Sequence, residues 1–306
     1  MQKTIRNSFE INDIGLPSGD MVRMVVKPAA AGTGIVFKRT DVSDRDNVIP
    51  ARWNHVVDTR LCTVIGNKDG VTVGTIEHLM AALSGCGVDN AIVELDAAEV
   101  PVMDGSSSAF VEAIDAVGLK ALDAPVRAIK VLKEVRVEKD GKYATLSPAN
   151  ESSVSGRIVY DHPLIGTQQQ EAKLVNGTFR HELADARTFG LLRDVEAMRA
   201  AGLALGGSLE NAVVLDDEKV INPEGLRFDD EFIRHKLLDA VGDLYLAGAP
   251  IEGAYYADCG GHMMNNAILH ALFADESNWT YVEQVEMDDI SIIQNAKQAD
   301  LETVIA

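Results

Sequence analysis

From Asp230 to Leu244 the chain supplies apolar positions at Phe232, Leu237, Leu238, Val241 and Leu244. That spacing predicts an amphipathic helix bordering a core or a cleft. On it His235, Asp239 and Asp243 recur at intervals of four, so an imidazole and two carboxylates share one stripe. Ionisable groups placed there need partners. Upstream, Ile76, Leu79, Met80 and Leu83 repeat the helical spacing, with Thr75 as the expected N-cap and Glu77 and His78 in the first turn. A third helix is expected after the turn Cys259-Gly260-Gly261, opening near His262 and running through Ala271. Strands are expected over 22–26, 34–37, 90–95, 129–132, 135–137, 143–146, 156–160, 211–215 and 251–256, with a hairpin turn at Asp140-Gly141.

These elements repeat. A helix opening near a histidine, a Gly turn, a strand, a second Gly turn and another helix run from His78 to the helix Ser108 to Val117. The same series runs from His235 to the helix Asn265 to Phe273. His78 to Asp104 is 26 positions and His235 to His262 is 27. The pattern predicts an α+β fold of two duplicated units, each a sheet with two helices, packed as a sandwich with the active site between them. A boundary near Asp123-Ala124-Pro125 would divide the chain into an N-terminal domain, 1–124, and a C-terminal domain, 125–306. An insertion at about 193–223 breaks the plan. Its Met198, Leu203, Leu205 and Leu209 are more apolar than a surface loop should be, which fits either a satellite core or the wall of a passage for an apolar ligand.

With 306 residues, 46% of them hydrophobic and 25% charged, the chain has ample material for cores. A net charge of -19 opposes nucleic acid, whose binding needs clustered Lys and Arg. A small anionic ligand remains compatible if a few cations such as Lys236 are focused at its site. Cys62, Cys86 and Cys259 are odd in number and lack Cys-x-x-Cys spacing, as expected of reduced thiols in a cytoplasm. No stretch has the continuous apolar length of a signal peptide core or a membrane span, so stable membrane insertion is not expected.

Taken alone, His235 and Asp239 read equally as a surface hydrogen-bonded pair or as half of a metal site. His78 and His262 extend the second reading, since two imidazoles and a carboxylate suffice for an open divalent-metal site. Spacing does not say which of the three histidines stays off the metal. His55, His162, His181 and His270 have no ligand spacing and are expected at the surface or satisfied in the core.

Across nearly its whole length the chain resembles the UDP-3-O-acyl-N-acetylglucosamine deacetylases, zinc amidases of lipid A synthesis. The resemblance is carried by Thr75-Ile76-Glu77-His78-Leu79, Pro101-Val102-Met103-Asp104-Gly105-Ser106, Ala186-Arg187-Thr188-Phe189-Gly190, Gly206-Gly207-Ser208, Arg234-His235-Lys236-Leu237-Leu238-Asp239 with Gly242-Asp243, and Gly261-His262 with Asn265-Asn266. It implies a zinc ion on His78, His235 and Asp239, a ligand set that also accommodates Fe2+. It further implies Glu77 as general base, His262 as general acid or oxyanion partner, and Asp243 as the group orienting His262. Thr188 would lie near the oxyanion, Phe189 against the sugar or acyl region, Lys236 at the diphosphate and Tyr160 under the uracil. The 193–223 insertion matches the family's acyl-chain passage. The implied activity is release of acetate from an acylated UDP-N-acetylglucosamine by a cytoplasmic enzyme, expected as a monomer. The alternatives are a zinc amidase on another acylamino sugar and a non-catalytic sugar-nucleotide-binding metal protein. They are prompted by two departures. Gly15-Leu16-Pro17-Ser18-Gly19 stands where the family has Gly-Leu-His-Ser-Gly, and Asp258-Cys259-Gly260-Gly261-His262 stands where it has Tyr-Lys-Ser-Gly-His.

Overall fold

The computed structural model describes residues 1–175 and 177–284; the end of the expected C-terminal domain, 285–306, lies outside the described residues. Two five-stranded sheets share one topology. The first has the order Phe9–Ile14, Met21–Pro28, Ala91–Leu95, Ile35–Arg39, Val48–Pro50, and the second Val135–Lys139, Lys142–Ser147, Ala254–Asp258, Ser153–Val159, Thr167–Lys173. In each, two antiparallel hairpins flank a central strand that arrives last in the chain, antiparallel to one hairpin and parallel to the other. Alternation explains which face packs: Val22, Met24 and Val26 on one strand and Ala91, Val93 and Leu95 on the next are buried, while their neighbours point outward.

Six α-helices occur among the described residues: α1 (Glu77–Gly85), α2 (Ser108–Val117), α3 (Thr178–Glu182), α4 (Leu192–Ala200), α5 (Glu231–Tyr245) and α6 (His262–Phe273). The central strand of each sheet lies in sequence between two of them, α1 and α2 in the first half, α5 and α6 in the second. α5 packs on the Ser153–Val159 hairpin, α6 on the Val135–Lys139 hairpin, and α1 packs against both α2 and α5. α1 and α5 therefore meet at the junction of the two halves, with α2 packed on α1 and α6 on α5. α1 and α5 cross so closely that a Cβ on Gly242 would lie 2.0 Å from the Glu77 carbonyl oxygen. Only glycine permits that approach.

Three expectations change. Thr75 is not an N-cap: it adopts φ +54 and its hydroxyl has no hydrogen-bond partner, while Ile76 occupies the cap and the helix begins at Glu77. The expected strand 251–256 is two strands. Ile251–Glu252 joins Val126–Val131, Ala254–Asp258 forms the centre of the second sheet, and the chain changes sheet at Gly253. A Cβ on Gly253 would sit 2.7 Å from Val131 Cγ2. In the insertion the expected strand 211–215 shortens to Val213–Leu215, which pairs in parallel with Phe189–Leu191, and α4 has no buried residue. The insertion is thereby tied to Phe189. Among the described residues no helix is long and apolar enough to cross a membrane, and all three cysteines are free thiols.

Candidate metal centre

α1 and α5 each carry part of one cluster at their crossing. His78, from the first turn of α1, and His235 and Asp239, one turn apart on α5, are all buried, and their ligand atoms lie within 4.8 Å of one another. Asp239 Oδ1 is 3.3 Å from His235 Nε2 and 3.6 Å from His78 Nε2, and this buried oxygen has no hydrogen-bond partner. A buried carboxylate oxygen left unpaired between two ring nitrogens is costly, and a cation at that point would remove the cost.

The protonation of His235 fits the same use. Its Nδ1 lies 3.0 Å from the Ala186 carbonyl oxygen, which can only accept, so Nδ1 carries the proton and Nε2 keeps its lone pair toward Asp239. Burial holds this imidazole down at about 3, hence neutral at physiological pH. Ala186 is held in turn by its neighbour. Arg187, buried, donates to Glu231 from its backbone N–H at 3.0 Å and from Nε at 2.9 Å, and reaches Glu224 at 2.7 Å and the Gly225 carbonyl at 2.7 Å. Asp239 is buried, which opposes charge, yet the Lys236 ammonium beside it outweighs burial and its carboxyl lies well below the usual range. Lys236 Nζ donates to Asp239 Oδ2 at 3.0 Å, leaving Oδ1 for a ligand. The resemblance directs Lys236 to a diphosphate; here its ammonium rests on this carboxylate, 5.5 Å from the centre of the Phe189 ring.

A second group of side chains adjoins the first. Glu77 is buried, and burial raises its carboxyl above the ordinary value despite His262 and His78 nearby. Its Oε1 is 3.7 Å from His262 Nε2. His262, the first residue of α6, donates from Nδ1 to Asp243 Oδ2 at 2.8 Å. Asn265, one turn further along α6, donates to the same oxygen at 2.8 Å and meets the Tyr255 hydroxyl at 2.5 Å. His262 is therefore the histidine held away from the cluster, by a carboxylate that contributes nothing to it. The sequence carries one signal for this part of Asn265, its i,i+3 spacing from His262.

Phe189 lies 6.3 Å from His235, 4.9 Å from Phe232 and 5.7 Å from Tyr160, centre to centre, so an aromatic row runs from the cluster out to Tyr160. Thr188 receives its place through its backbone, its N–H donating to Gly105 O and its carbonyl accepting from Val213 N, both at 2.8 Å. Gly105 is pressed onto this segment, for a Cβ there would be 2.0 Å from Asn211 O. At the first departure, the carbonyls of Leu16 and Pro17 accept from Gly206 and Leu205 N–H at 3.0 and 3.1 Å, binding the Gly15–Gly19 loop to the insertion. Proline fits because that position supplies only an acceptor. At the second, Asp258 pairs with Arg157 Nη1 at 3.1 Å. Of the other histidines, His162 sits between Leu164 N–H and the Asp216 carbonyl, His270 lies edge-on to Trp53 at 4.6 Å, His55 meets Asn54, and His181 is exposed.

Two imidazoles and a carboxylate around one point form a group that could hold a metal ion, and the further carboxylate and carboxylate-held histidine beside it complete the arrangement expected of a hydrolase. The family model for LpxC, UDP-3-O-acyl N-acetylglycosamine deacetylase, matches residues 2–274. The UDP-3-O-acyl-N-acetylglucosamine deacetylase of Pseudoalteromonas atlantica is 46% identical over 293 residues, 95% of this chain and 96% of the relative. That of Phenylobacterium zucineum is 50% identical over 278 residues, 91% and 95% of the two chains, and that of Shewanella frigidimarina 45% over 293 residues, 95% of each. The chain belongs to the LpxC family of UDP-3-O-acyl-N-acetylglucosamine deacetylases.

Proposed function

We propose that the protein is a zinc-dependent amidohydrolase of the cytoplasm that removes the acetyl group from UDP-3-O-acyl-N-acetylglucosamine, a committed step toward lipid A. The observation that carries this reading is the unpaired Asp239 Oδ1 facing two imidazole Nε2 atoms, with Glu77 and the His262–Asp243 pair alongside. His78, His235 and Asp239 would hold the ion, which would polarise the acetamide carbonyl and lower the pKa of a water at the site.

Glu77 then takes a proton from the attacking water as oxygen bonds to the amide carbon. Its buried, unusually basic carboxyl suits that role. His262, kept protonated by Asp243, either gives its Nε2 proton to the nitrogen as the C–N bond breaks or stabilises the tetrahedral oxyanion while Glu77 returns to that nitrogen the proton it took from water; both routes release acetate and an amine. Thr188 adds a hydroxyl near the oxyanion. Phe189 and Tyr160 line the way for the sugar and uracil, and Lys236 reaches the diphosphate by exchanging its bond to Asp239. The insertion exposes Leu203, Leu205 and Leu209, an apolar surface fit for the acyl chain.

Acetate release from the acylated UDP-sugar, measured with metal content and with a UDP-free acylamino sugar in competition, tests the reading. The protein should carry about one zinc per chain, and a chelator should abolish turnover. Glu77→Ala should keep the metal and lose about 100-fold or more in kcat. Full activity in that variant excludes Glu77 as base, and no acetate from the zinc-loaded wild type excludes the function.

A further inference from the structure

Thr63 precedes the strand Val64–Gly66 and is 1% exposed. Its backbone N–H donates to Glu77 Oε2 at 3.0 Å and its hydroxyl donates to Asp243 Oδ1 at 2.5 Å. Glu77 turns its other oxygen to His262 Nε2 at 3.7 Å, and Asp243 turns its other oxygen to His262 Nδ1 at 2.8 Å. The four residues thus close a ring, in which Thr63 joins on one side the two carboxylates that His262 joins on the other. We propose that Thr63 is a positioning residue for the hydrolysis, fixing the carboxylate that orients the acid and the carboxylate that serves as base in one shared frame.

The physical need comes from the torsion of a carboxyl group. The terminal torsion of an aspartate is broad, with no staggered well to hold its plane. Asp243 Oδ2 already accepts from both His262 and Asn265, but bonds to one oxygen leave the group free to swing about it. The Thr63 hydroxyl pins the other oxygen. Without it Asp243 Oδ1 is a buried acceptor with no donor, and the carboxylate turns to find one, carrying the His262 ring with it. Glu77 keeps its backbone donor under any substitution at position 63 other than proline. The hydroxyl arm can therefore be removed by itself.

This inference rests on the reading of Glu77 and His262 as base and acid, and its test keeps the two apart. Thr63→Val retains the shape and the N–H while deleting the hydroxyl. It should lower kcat about 10- to 100-fold, less than the loss of a whole general acid, with KM within about 2-fold of wild type, as expected when only alignment is lost, and with bound metal unchanged. Thr63→Ser should recover kcat to within about 3-fold. In an Asp243→Ala background Thr63→Val should cost nothing more, because the group it acts through is gone. If Thr63→Val does not fold, Thr63→Ala is read in the same way. Retention of wild-type kcat by the folded, metal-loaded Val or Ala variant overturns the proposal. So does an equal loss in the Ser variant, or an undiminished loss in the Asp243→Ala background. A wild type that releases no acetate overturns the function and this inference together, whereas an active wild type with an unaffected Thr63→Val removes this inference alone.

Discussion

His262 stands between two carboxylates, Asp243 at 2.8 Å from Nδ1 and Glu77 at 3.7 Å from Nε2. Burial works to strip its proton, but Asp243 and Glu77 outweigh burial and lift its pKa from 6.5 to about 10. A folded value above the unfolded one means that this contribution to stability is complete below about pH 6.5 and is lost as pH rises through about 10. In the metal-free protein the unfolding free energy should therefore fall by a few kcal/mol, roughly, between pH 7 and 10. Asp243→Asn should flatten that slope. Urea titrations of both proteins at pH 6, 8 and 10 measure it, and identical slopes contradict the assignment. At this scale the sequence was readable wherever a relation is set within one helix. The i,i+4 pair His235 and Asp239 and the neighbouring Glu77 and His78 needed only the helical period. That His262 stays off the cluster, and that Thr63 joins Asp243 to Glu77, depend on strands and helices brought together from distant parts of the chain. No local pattern records either.

The crossing of α1 and α5 is what brings the cluster together, and its closeness depends on Gly242. An added methyl would meet backbone atoms, 2.0 Å from Glu77 O, 2.8 Å from Glu77 C and 3.1 Å from Ala81 N, which cannot move aside as a flexible side chain would. Gly242→Ala should cost about 3 kcal/mol or more, lower Tm by roughly 6 °C or more, and weaken metal binding by pushing His78 away from Asp239. Gly74→Ala is the control, since a Cβ there meets ordinary contacts at 3.5 and 3.7 Å. Differential scanning with metal titration compares them, and a Gly242→Ala protein with wild-type Tm and metal affinity contradicts the argument. The sequence marked the helices well because their apolar spacing is strong, and α2 spans the expected Ser108–Val117. Edge strands were the harder part. Thr167–Lys173 is a strand of Thr, Gln, Glu, Ala and Lys with one buried residue, so it carries no apolar alternation to read. The small sheet of Val56–Asp58, Val64–Gly66 and Thr72–Val73 that carries Thr63 into place is equally short of signal.

Across the whole molecule the cluster joins the two copies of the repeat, His78 from the first and His235 with Asp239 from the second. An ion bound there closes a loop of more than a hundred residues and binds only the folded chain, because the ligands converge only when α1 and α5 are packed. Stability should then rise with free zinc by RT ln(1 + [L]/Kd), about 2.7 kcal/mol at one hundred times Kd. Chelation should lower Tm by roughly 5 °C for a chain of this size, and restored zinc should reverse the shift. In His78→Ala the difference between chelated and zinc-supplied protein should collapse, since two ligands from one helix no longer link the halves. Thermal scans of both proteins, with and without chelator, decide this. An undiminished zinc-dependent rise of Tm in His78→Ala would place the stabilising ion elsewhere, because ligands confined to α5 can hold that helix but cannot fasten it to α1.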